Sequence, residues 1–207
     1  MARTAGFRRI AGVDEAGRGP WAGPVVCAAV VLRTARLPRA RIDDSKRLSP
    51  LQRTRAFEAI LACADVGVGI ACADEIDRFN ILQATLQAMV QAVDDLTVRP
   101  NLVLVDGSIA PPLTIPCWPV VGGDARSPLI ACASIIAKVL RDRLMHFYHR
   151  LYPSYQFHQH KGYGTILHAR LLELWGPCPL HRLSFQPVAA SRNPLPSPSD
   201  VALPQRA

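Results

Sequence analysis

The sequence predicts an α/β fold with a mixed central sheet flanked by helices. Short apolar runs typical of buried strands alternate with longer stretches whose apolar residues recur every three or four positions. The predicted order is strand-strand-helix-strand-helix-strand-strand-helix-helix, which leaves the C-terminal part helical. Because 49% of the 207 residues are hydrophobic, the chain can bury a sizeable core. We expect one domain over residues 1–191.

The first two strands are separated by a stretch rich in glycine and proline. An apolar run over 8–13 and the run PVVCAAVVL over 24–32 both have the composition of strands. The intervening segment, 16–24, can turn the chain back, so an antiparallel pair is expected. The next residues, 33–48, are basic and predict a loop.

A helix and a third strand follow this loop. Ser49 can cap a helix over 50–64, Pro50 suits its first position, and Gln52 supplies half of a capping box. The apolar run over 65–73 then predicts a strand.

The middle of the chain predicts a helix followed by two strands. The periodicity over 74–96 indicates a helix interrupted near Asn80, which we expect to act as a cap. The run over 101–107 indicates a buried strand with Asp106 at its C-terminal tip, and 116–123 a further strand.

The C-terminal third predicts two helices and a tail. Ser127 followed by Pro128 indicates a capped helix reaching about Leu151, and a second helix is expected over 165–176. The segment 192–207 is rich in proline and serine, and we expect it to be disordered.

The amino-acid composition indicates which classes of partner the protein could bind. A formal charge of +8 favours a polyanion such as nucleic acid or an anionic lipid, although a protein can be basic without such a partner. No apolar run approaches the roughly 18 residues of a membrane span, and no secretory signal is present, so we expect no membrane association. None of the six cysteines forms a C-x-x-C pair and most lie in apolar runs, which predicts small buried residues of a reduced cytoplasm.

Four acids stand where a metal site could form. Asp14 and Glu15 end the first strand, Asp106 ends a later one, and Asp124 precedes a helix. Carboxylates are the ligands that Mg²⁺ and Mn²⁺ prefer, and two such ions can support phosphoryl transfer. Adjacent strand residues face opposite sides, so the first two acids can share a site only if their strand ends or bends there. Each acid taken alone could equally be a surface or turn residue.

The segment Gly17-Arg18-Gly19 follows the first pair of acids. Its glycine spacing does not fit a dinucleotide-binding loop. Peptide N–H groups exposed by the glycines could instead hold a phosphate or a ribose hydroxyl, and the 2′-OH is what distinguishes RNA from DNA.

Two further stretches suggest contacts with nucleic acid. DDSKRLS offers Ser45 and Lys46 to phosphates, and HQHKGYGT offers Lys161 and a glycine-flanked Tyr163 that could stack on a sugar or base. Either stretch could also be an ordinary solvated loop.

Taken together, the sequence resembles bacterial ribonuclease HII, the type 2 ribonuclease H. The resemblance covers about residues 10–190. Its motifs, in the order of the family, are GVDEAGRGPWAGPVV, DDSKRLS, NILQATLQAM, LVDG, GGDARSP, ASIIAKVLRDR, HKGYGT and HRLSFQPV.

The resemblance implies a ribonuclease H-like catalytic domain and an endonuclease. Its substrates would be the RNA strand of RNA–DNA hybrids and single ribonucleotides embedded in duplex DNA, cut on the 5′ side to leave 3′-hydroxyl and 5′-phosphate ends. A role in removing ribonucleotides from DNA would follow. We expect a cytoplasmic monomer that uses Mn²⁺ or Mg²⁺, with two ions during catalysis, and we find no strong motif for binding a replication clamp.

The resemblance also assigns roles to residues. The catalytic metal ligands would be Asp14, Glu15, Asp106 and Asp124. The substrate-binding residues would be Gly17, Arg18, Gly19, Ser45, Lys46, Lys161 and Tyr163.

The sequence departs from the family pattern at four positions. Trp21 replaces a common aliphatic residue, and Cys132 replaces a usual alanine. Leu183 and Gln186 replace a basic residue and a glycine in a motif expected to contact nucleic acid.

Two other functions remain open at this stage. Resolvases and transposases use similar acid clusters on related folds, so the substrate could be branched DNA. A nucleic-acid binder without catalysis would fit the charge but leave the four acids unexplained.

Overall fold

A computed structural model describes residues 6–34 and 36–191. The strands are β1 (Ile10–Ala16), β2 (Val25–Leu32), β3 (Ala64–Ala71), β4 (Leu102–Asp106) and β5 (Cys117–Val120). The helices are α1 (Pro50–Cys63), α2 (Ala73–Asp94), α3 (Gly123–Arg126), α4 (Pro128–Leu151), α5 (Phe157–His160), α6 (Ile166–Trp175) and α7 (Gln186–Ala190), with a 3₁₀ turn at Pro153–Tyr155.

The strands form one mixed sheet in the order β3-β2-β1-β4-β5. The β1–β2 and β2–β3 pairs are antiparallel, whereas β1–β4 and β4–β5 are parallel. Both the α/β fold class and the antiparallel opening pair are therefore confirmed. Because β1 and β4 run in the same direction, their C-terminal ends meet at one edge of the sheet.

Helices cover both faces of this sheet. Alternate residues of β2 divide between the faces: Cys27 and Ala29 join the core formed with α2, while Ala28 and Val30 join the core formed with α1 and α4. A Cβ atom on Gly69 would lie 1.9 Å from the Ala88 carbonyl oxygen, so glycine in β3 lets α2 pack directly on the backbone.

The three predicted helix starts are confirmed. Ser49 caps α1 through a full capping box with Gln52. Asn80 has a φ of 66° inside α2, and its Oδ1 accepts hydrogen bonds from the next turn, so it caps the second half of a broken helix. Ser127 is the N-cap residue of α4 and Pro128 its first residue, as predicted, although the Ser127 side chain makes no capping bond and its amide closes α3 on Gly123.

The cysteine prediction is only partly confirmed. All six cysteines are free thiols, and Cys27 and Cys132 are buried. Cys72 is exposed because it lies at the start of α2, and the other three are half-buried. The predicted disordered tail lies outside the described residues. No helix within residues 6–34 and 36–191 has the length and apolarity needed to cross a membrane.

Candidate active site

The C-terminal ends of β1 and β4 bring acids together. Val13 pairs with Val105 in the parallel register, so the next residues, Asp14 and Asp106, are neighbours on adjacent strands. These two acids, with Glu15 and Asp124, line one cavity of about 300 Å³. The sequence-predicted set of four acids is therefore gathered at one place in the fold.

Adjacent acids share this cavity although β1 does not end at them. The strand runs one residue further than Glu15, to Ala16, and the chain then turns at Gly17 with a φ of +100°. Because the cavity lies beyond the strand end, residues from both faces can reach it. The Glu15 amide donates a 2.7 Å hydrogen bond to Asp14 Oδ1, which fixes the first carboxylate.

The electrostatics of the first two acids show that negative charge is crowded here. Burial raises the pKa of Asp14 well above its usual range, and the charges of Glu15 and Asp106 raise it further. Burial also raises the pKa of Glu15, although the guanidinium of Arg18 opposes this effect. A cation placed among these groups would relieve the repulsion between them.

A pair of buried serines supports Asp14, and one of them was missed by the sequence analysis. Ser134 of α4 forms a hydrogen bond with the Asp14 side chain that lowers the pKa of this acid. Its Oγ lies 3.0 Å from Ser45 Oγ, so Ser45 donates to Ser134 when Ser134 donates to the carboxylate. Ser45 therefore connects its loop to the acid cluster from a buried position.

The other two acids are held by peptide groups around α3. Asp106 Oδ1 accepts a 2.6 Å hydrogen bond from the Gly123 amide at the start of this helix. Asp124 Oδ1 accepts from the Ala125 amide at 2.9 Å. The short helix α3 thus links β5 to α4 and places Asp124 beside Asp106 of β4.

The donor chemistry of the cavity fits a hard divalent cation. All four acids offer carboxylate oxygens, and burial together with repulsion between neighbouring acids raises the pKa of Asp14 and Glu15, so a cation would stabilise their charged forms. Within the described ranges, no three His, Cys, Asp or Glu side chains already stand close enough to hold a metal. Glu15 instead lies 3.6 Å from Arg18 Nη1, so cation binding requires side-chain rotations that exchange this ion pair for the metal.

The Gly17-Arg18-Gly19 segment forms the adjoining wall of the cavity. A Cβ atom on Gly17 would lie 2.0 Å from Arg141 Nε, so only glycine fits there. In the part of the chain that the structure describes, the amides of Arg18 and Gly19 have no hydrogen-bond acceptor. Their N–H groups are therefore available to a ligand.

The remaining predicted substrate residues divide between two places. Lys46 and Tyr163 line the cavity, as does Lys138, which pairs with Asp142 at 2.8 Å. Lys161 does not line it, because its ammonium is held by the His158 carbonyl and lies 3.0 Å from His146 Nε2.

The HRLSFQPV motif lies outside the lining of the acidic cavity. The amides of Leu183 and Ser184 both donate to the Asp77 carboxylate, and Gln186 begins α7. Arg182 is fully buried beneath the glycine-containing segment. The two departures from the family pattern therefore lie outside the lining of the acidic cavity.

Comparison with known proteins agrees with this geometry. The model of the family Ribonuclease HII matches residues 11–188. The chain is 52% identical over 188 residues to ribonuclease HII of Chlamydia muridarum, covering 90% of this chain and 86% of that protein. It is also 52% identical over 182 residues to ribonuclease HII of Thermotoga maritima, covering 88% and 75%.

Solved structures show the same fold. Ribonuclease H2 from Pyrococcus horikoshii OT3 superposes with a TM-score of 0.76 at 26% identity, covering 89% of this chain and 97% of that one. Bst-RNase HIII, solved in complex with Mn²⁺, gives a TM-score of 0.65 at 19% identity, covering 88% and 68%, and supports the fold alone. With a family match over nearly the whole described chain, the protein is a divalent-metal-dependent ribonuclease H, an endonuclease acting on RNA–DNA substrates, and it belongs to the ribonuclease HII family.

Proposed function

We propose that this enzyme cuts duplex DNA on the 5′ side of a single embedded ribonucleotide and leaves 3′-hydroxyl and 5′-phosphate ends. The observation that carries the proposal is the free amides of Arg18 and Gly19 in the wall of the acidic cavity. Two peptide donors beside the reacting phosphate can hydrogen-bond a ribose 2′-OH, which a deoxyribose lacks. One ribonucleotide then suffices for recognition.

The acids Asp14, Glu15, Asp106 and Asp124 are assigned the role of holding Mn²⁺ or Mg²⁺ at the scissile phosphate. When bound, divalent ions stabilise negative charge on the phosphate and make a water molecule a better nucleophile at neutral pH. Asp14 is the central ligand in this proposal, because burial and Ser134 hold its carboxylate in place. Without the negative charge of Asp14, the cavity no longer attracts a divalent cation strongly enough to bind it.

The other cavity residues position the nucleic acid. Lys46 and Lys138 present ammonium groups to phosphates, and Ser45 supports the loop that carries Lys46. Tyr163 is 43% exposed, so its ring offers a face to the sugar next to the ribonucleotide. We leave Lys161 out of the site, because its ammonium is already held by neighbouring groups.

The test is gel cleavage of an end-labelled DNA duplex carrying one ribonucleotide, with Mn²⁺, Mg²⁺ or EDTA. An all-DNA duplex, a long RNA–DNA hybrid and a branched DNA junction are run beside it. We expect a metal-dependent cut on the 5′ side of the ribonucleotide and none in the all-DNA duplex. Cutting of the long hybrid alone would overturn recognition of a single ribonucleotide, and cutting of the junction alone would favour a resolvase.

Two variants with matched controls test the residue roles. Asp14→Asn is expected to lose nearly all cleavage, whereas Asp74→Asn, an exposed acid at the start of α2, keeps it. Tyr163→Ala is expected to impair cleavage at the single ribonucleotide more than binding to all-DNA duplex. Phe147→Ala removes an equally exposed ring outside the cavity and serves as its control. Equal losses on every substrate would make Tyr163 a general contact.

The broader assignments follow from the same site. We infer that the enzyme is a monomer, to be checked by light scattering of the eluted protein. The free thiols support a reducing cytoplasm. Cleavage at isolated ribonucleotides would place the enzyme at the first step of their removal from DNA.

A further inference from the structure

Arg182 is a fully buried arginine whose side chain is surrounded by main-chain carbonyl groups. Its Nη2 donates to Gly17 O at 2.5 Å and to Gly23 O at 2.8 Å. Its Nη1 donates to Arg18 O at 2.8 Å and to Pro20 O at 2.7 Å, and its Nε donates to Gly23 O at 3.1 Å. One side chain thus holds four carbonyl groups of the loop over residues 17–23, which we call the glycine loop.

In the described part of the chain no carboxylate forms an ion pair with this guanidinium, although the charge of Asp77 acts on it from a distance. Burial together with the nearby charge of Arg141 lowers the pKa of Arg182 to about 9. An unpaired buried charge is unfavourable for folding unless hydrogen bonds compensate for it, and here only carbonyl groups do so. In return the guanidinium satisfies four carbonyl groups of the glycine loop, and these bonds fix the conformation of the loop.

The geometry of the peptide bond suggests a role for Arg182. In a trans peptide unit the C=O and the following N–H point in opposite directions. The Gly17 carbonyl belongs to the same unit as the Arg18 amide, and the Arg18 carbonyl to the same unit as the Gly19 amide. Arg182 hydrogen-bonds these two carbonyls from the protein interior. The two free N–H groups of the same peptide units therefore point away from the interior.

We propose that Arg182 is a positioning residue that presets the Arg18 and Gly19 amides for recognition of the ribonucleotide. This inference rests on the proposed function, since it explains how the same two donors are kept ready. Arg182 itself does not line the cavity. A preset donor pair needs no rearrangement when substrate binds, which is the condition under which hydrogen bonds to a reacting centre are most effective.

Arg141 provides a matched comparison. It is also buried, and it donates to Pro24 O at 2.9 Å, Lys161 O at 2.9 Å and Ala22 O at 3.2 Å. None of these carbonyls belongs to the peptide units that carry the two free amides. Both arginines are buried against the glycine loop, but only Arg182 bonds the carbonyls of the two peptide units that carry the free amides.

The experiment compares Arg182→Lys with Arg141→Lys on three duplexes: one with a single ribonucleotide, one all-DNA, and one long RNA–DNA hybrid. Each variant is assayed at the same interval below its own unfolding temperature, so that lost stability does not count as lost activity. Lysine keeps the charge but lacks the planar set of donors. For Arg182→Lys we expect kcat at the single ribonucleotide to fall about 100-fold, the scale of losing a preset donor, with little change in binding of all-DNA duplex.

Three results would overturn the proposal: wild-type kcat in Arg182→Lys, equal losses in the two variants, or a loss of binding to all-DNA duplex as large as the loss of kcat. If Arg182→Lys does not fold, amide shifts of ¹⁵N-labelled wild-type enzyme decide instead. The Arg18 and Gly19 amide signals must then shift with metal-free single-ribonucleotide duplex and not with all-DNA duplex. Failure of the proposed function would be separate, since wild-type enzyme would then not cut the single-ribonucleotide duplex at all.

Discussion

A chain of hydrogen-bonded histidines beneath Tyr163 predicts that the protein loses stability in mild acid. The Cys178 amide donates to His181 Nδ1 at 3.0 Å, so neutral His181 carries its proton on Nε2. That proton is donated to His168 Nε2 at 3.0 Å, and His168 Nδ1 in turn donates to the Tyr163 carbonyl at 3.0 Å. Both rings are buried, and their bonding pattern requires both to be neutral.

The size of the effect follows from the pKa values. Burial, with the charge of His160, lowers the pKa of His168 from 6.5 to about 4, and burial, with the charge of His168, lowers that of His181 to about 3. Below pH 6.5 the two histidines bind protons in the unfolded chain but stay neutral in the folded chain. The free energy of unfolding therefore falls as the pH falls. Each histidine contributes about 1.4 kcal/mol per pH unit in this window, or about 2 kcal/mol at pH 5.

The assay is urea unfolding at pH 7, 6 and 5. The raised pKa values of Asp14 and Glu15 act in the opposite sense, because the folded state binds those protons first, so the difference between variants is the informative quantity. We call the fall in the free energy of unfolding between pH 7 and pH 5 the acid limb. The double variant His168→Gln, His181→Gln should have a shallower acid limb than the wild type. His149→Gln, a histidine outside this chain of hydrogen bonds, should leave it unchanged. An acid limb as steep in the double variant as in the wild type would refute the reasoning.

Three other substitutions have defined outcomes. Asp14→Asn should raise the unfolding temperature without divalent ions, because it removes a buried, repelled carboxylate while abolishing cleavage; a lower temperature in calorimetry would contradict this. Gly69→Ala should cost about 3 kcal/mol by urea unfolding, since its Cβ would overlap the Ala88 carbonyl, and an unchanged midpoint would show that α2 can move away. Asn80→Ala should cost about 1 kcal/mol through loss of the cap, measured in the same way, and no loss would mean that the break in α2 needs no cap.

Local signals in the sequence were sufficient to predict the strands and the longer helices. The capping box at Ser49, the break at Asn80 and the apolar runs of the strands depend on neighbouring residues, and each appears where expected. The short helices were missed because four or five residues are too few to show a helical period. Ser127 starts α4 as predicted but makes no side-chain capping bond, and the unpredicted α3 ends directly before it.

The sequence predicted the acids of the candidate site but not the buried residues that hold the acids and the glycine loop in place. The acids follow apolar runs or glycines, and the family resemblance identified them together. Ser134 and Arg182 carry no such signal, because a polar residue within a helix or loop is normally exposed, and only the tertiary fold shows these two to be buried. Tyr163 lines the cavity, whereas Lys161, two residues earlier, does not, because its ammonium is held by neighbouring groups, and local sequence cannot show this difference.

The bond between Arg182 and Gly17 also bears on when the enzyme becomes active during its synthesis. It joins residues 165 positions apart, so the glycine loop remains unset until nearly the whole described chain has been made. Chains emerge from the ribosome N-terminus first, and β1 with its acids is therefore exposed long before its last support arrives. A nascent chain that has not reached Arg182 therefore lacks the hydrogen bonds that hold the glycine loop beside the acids.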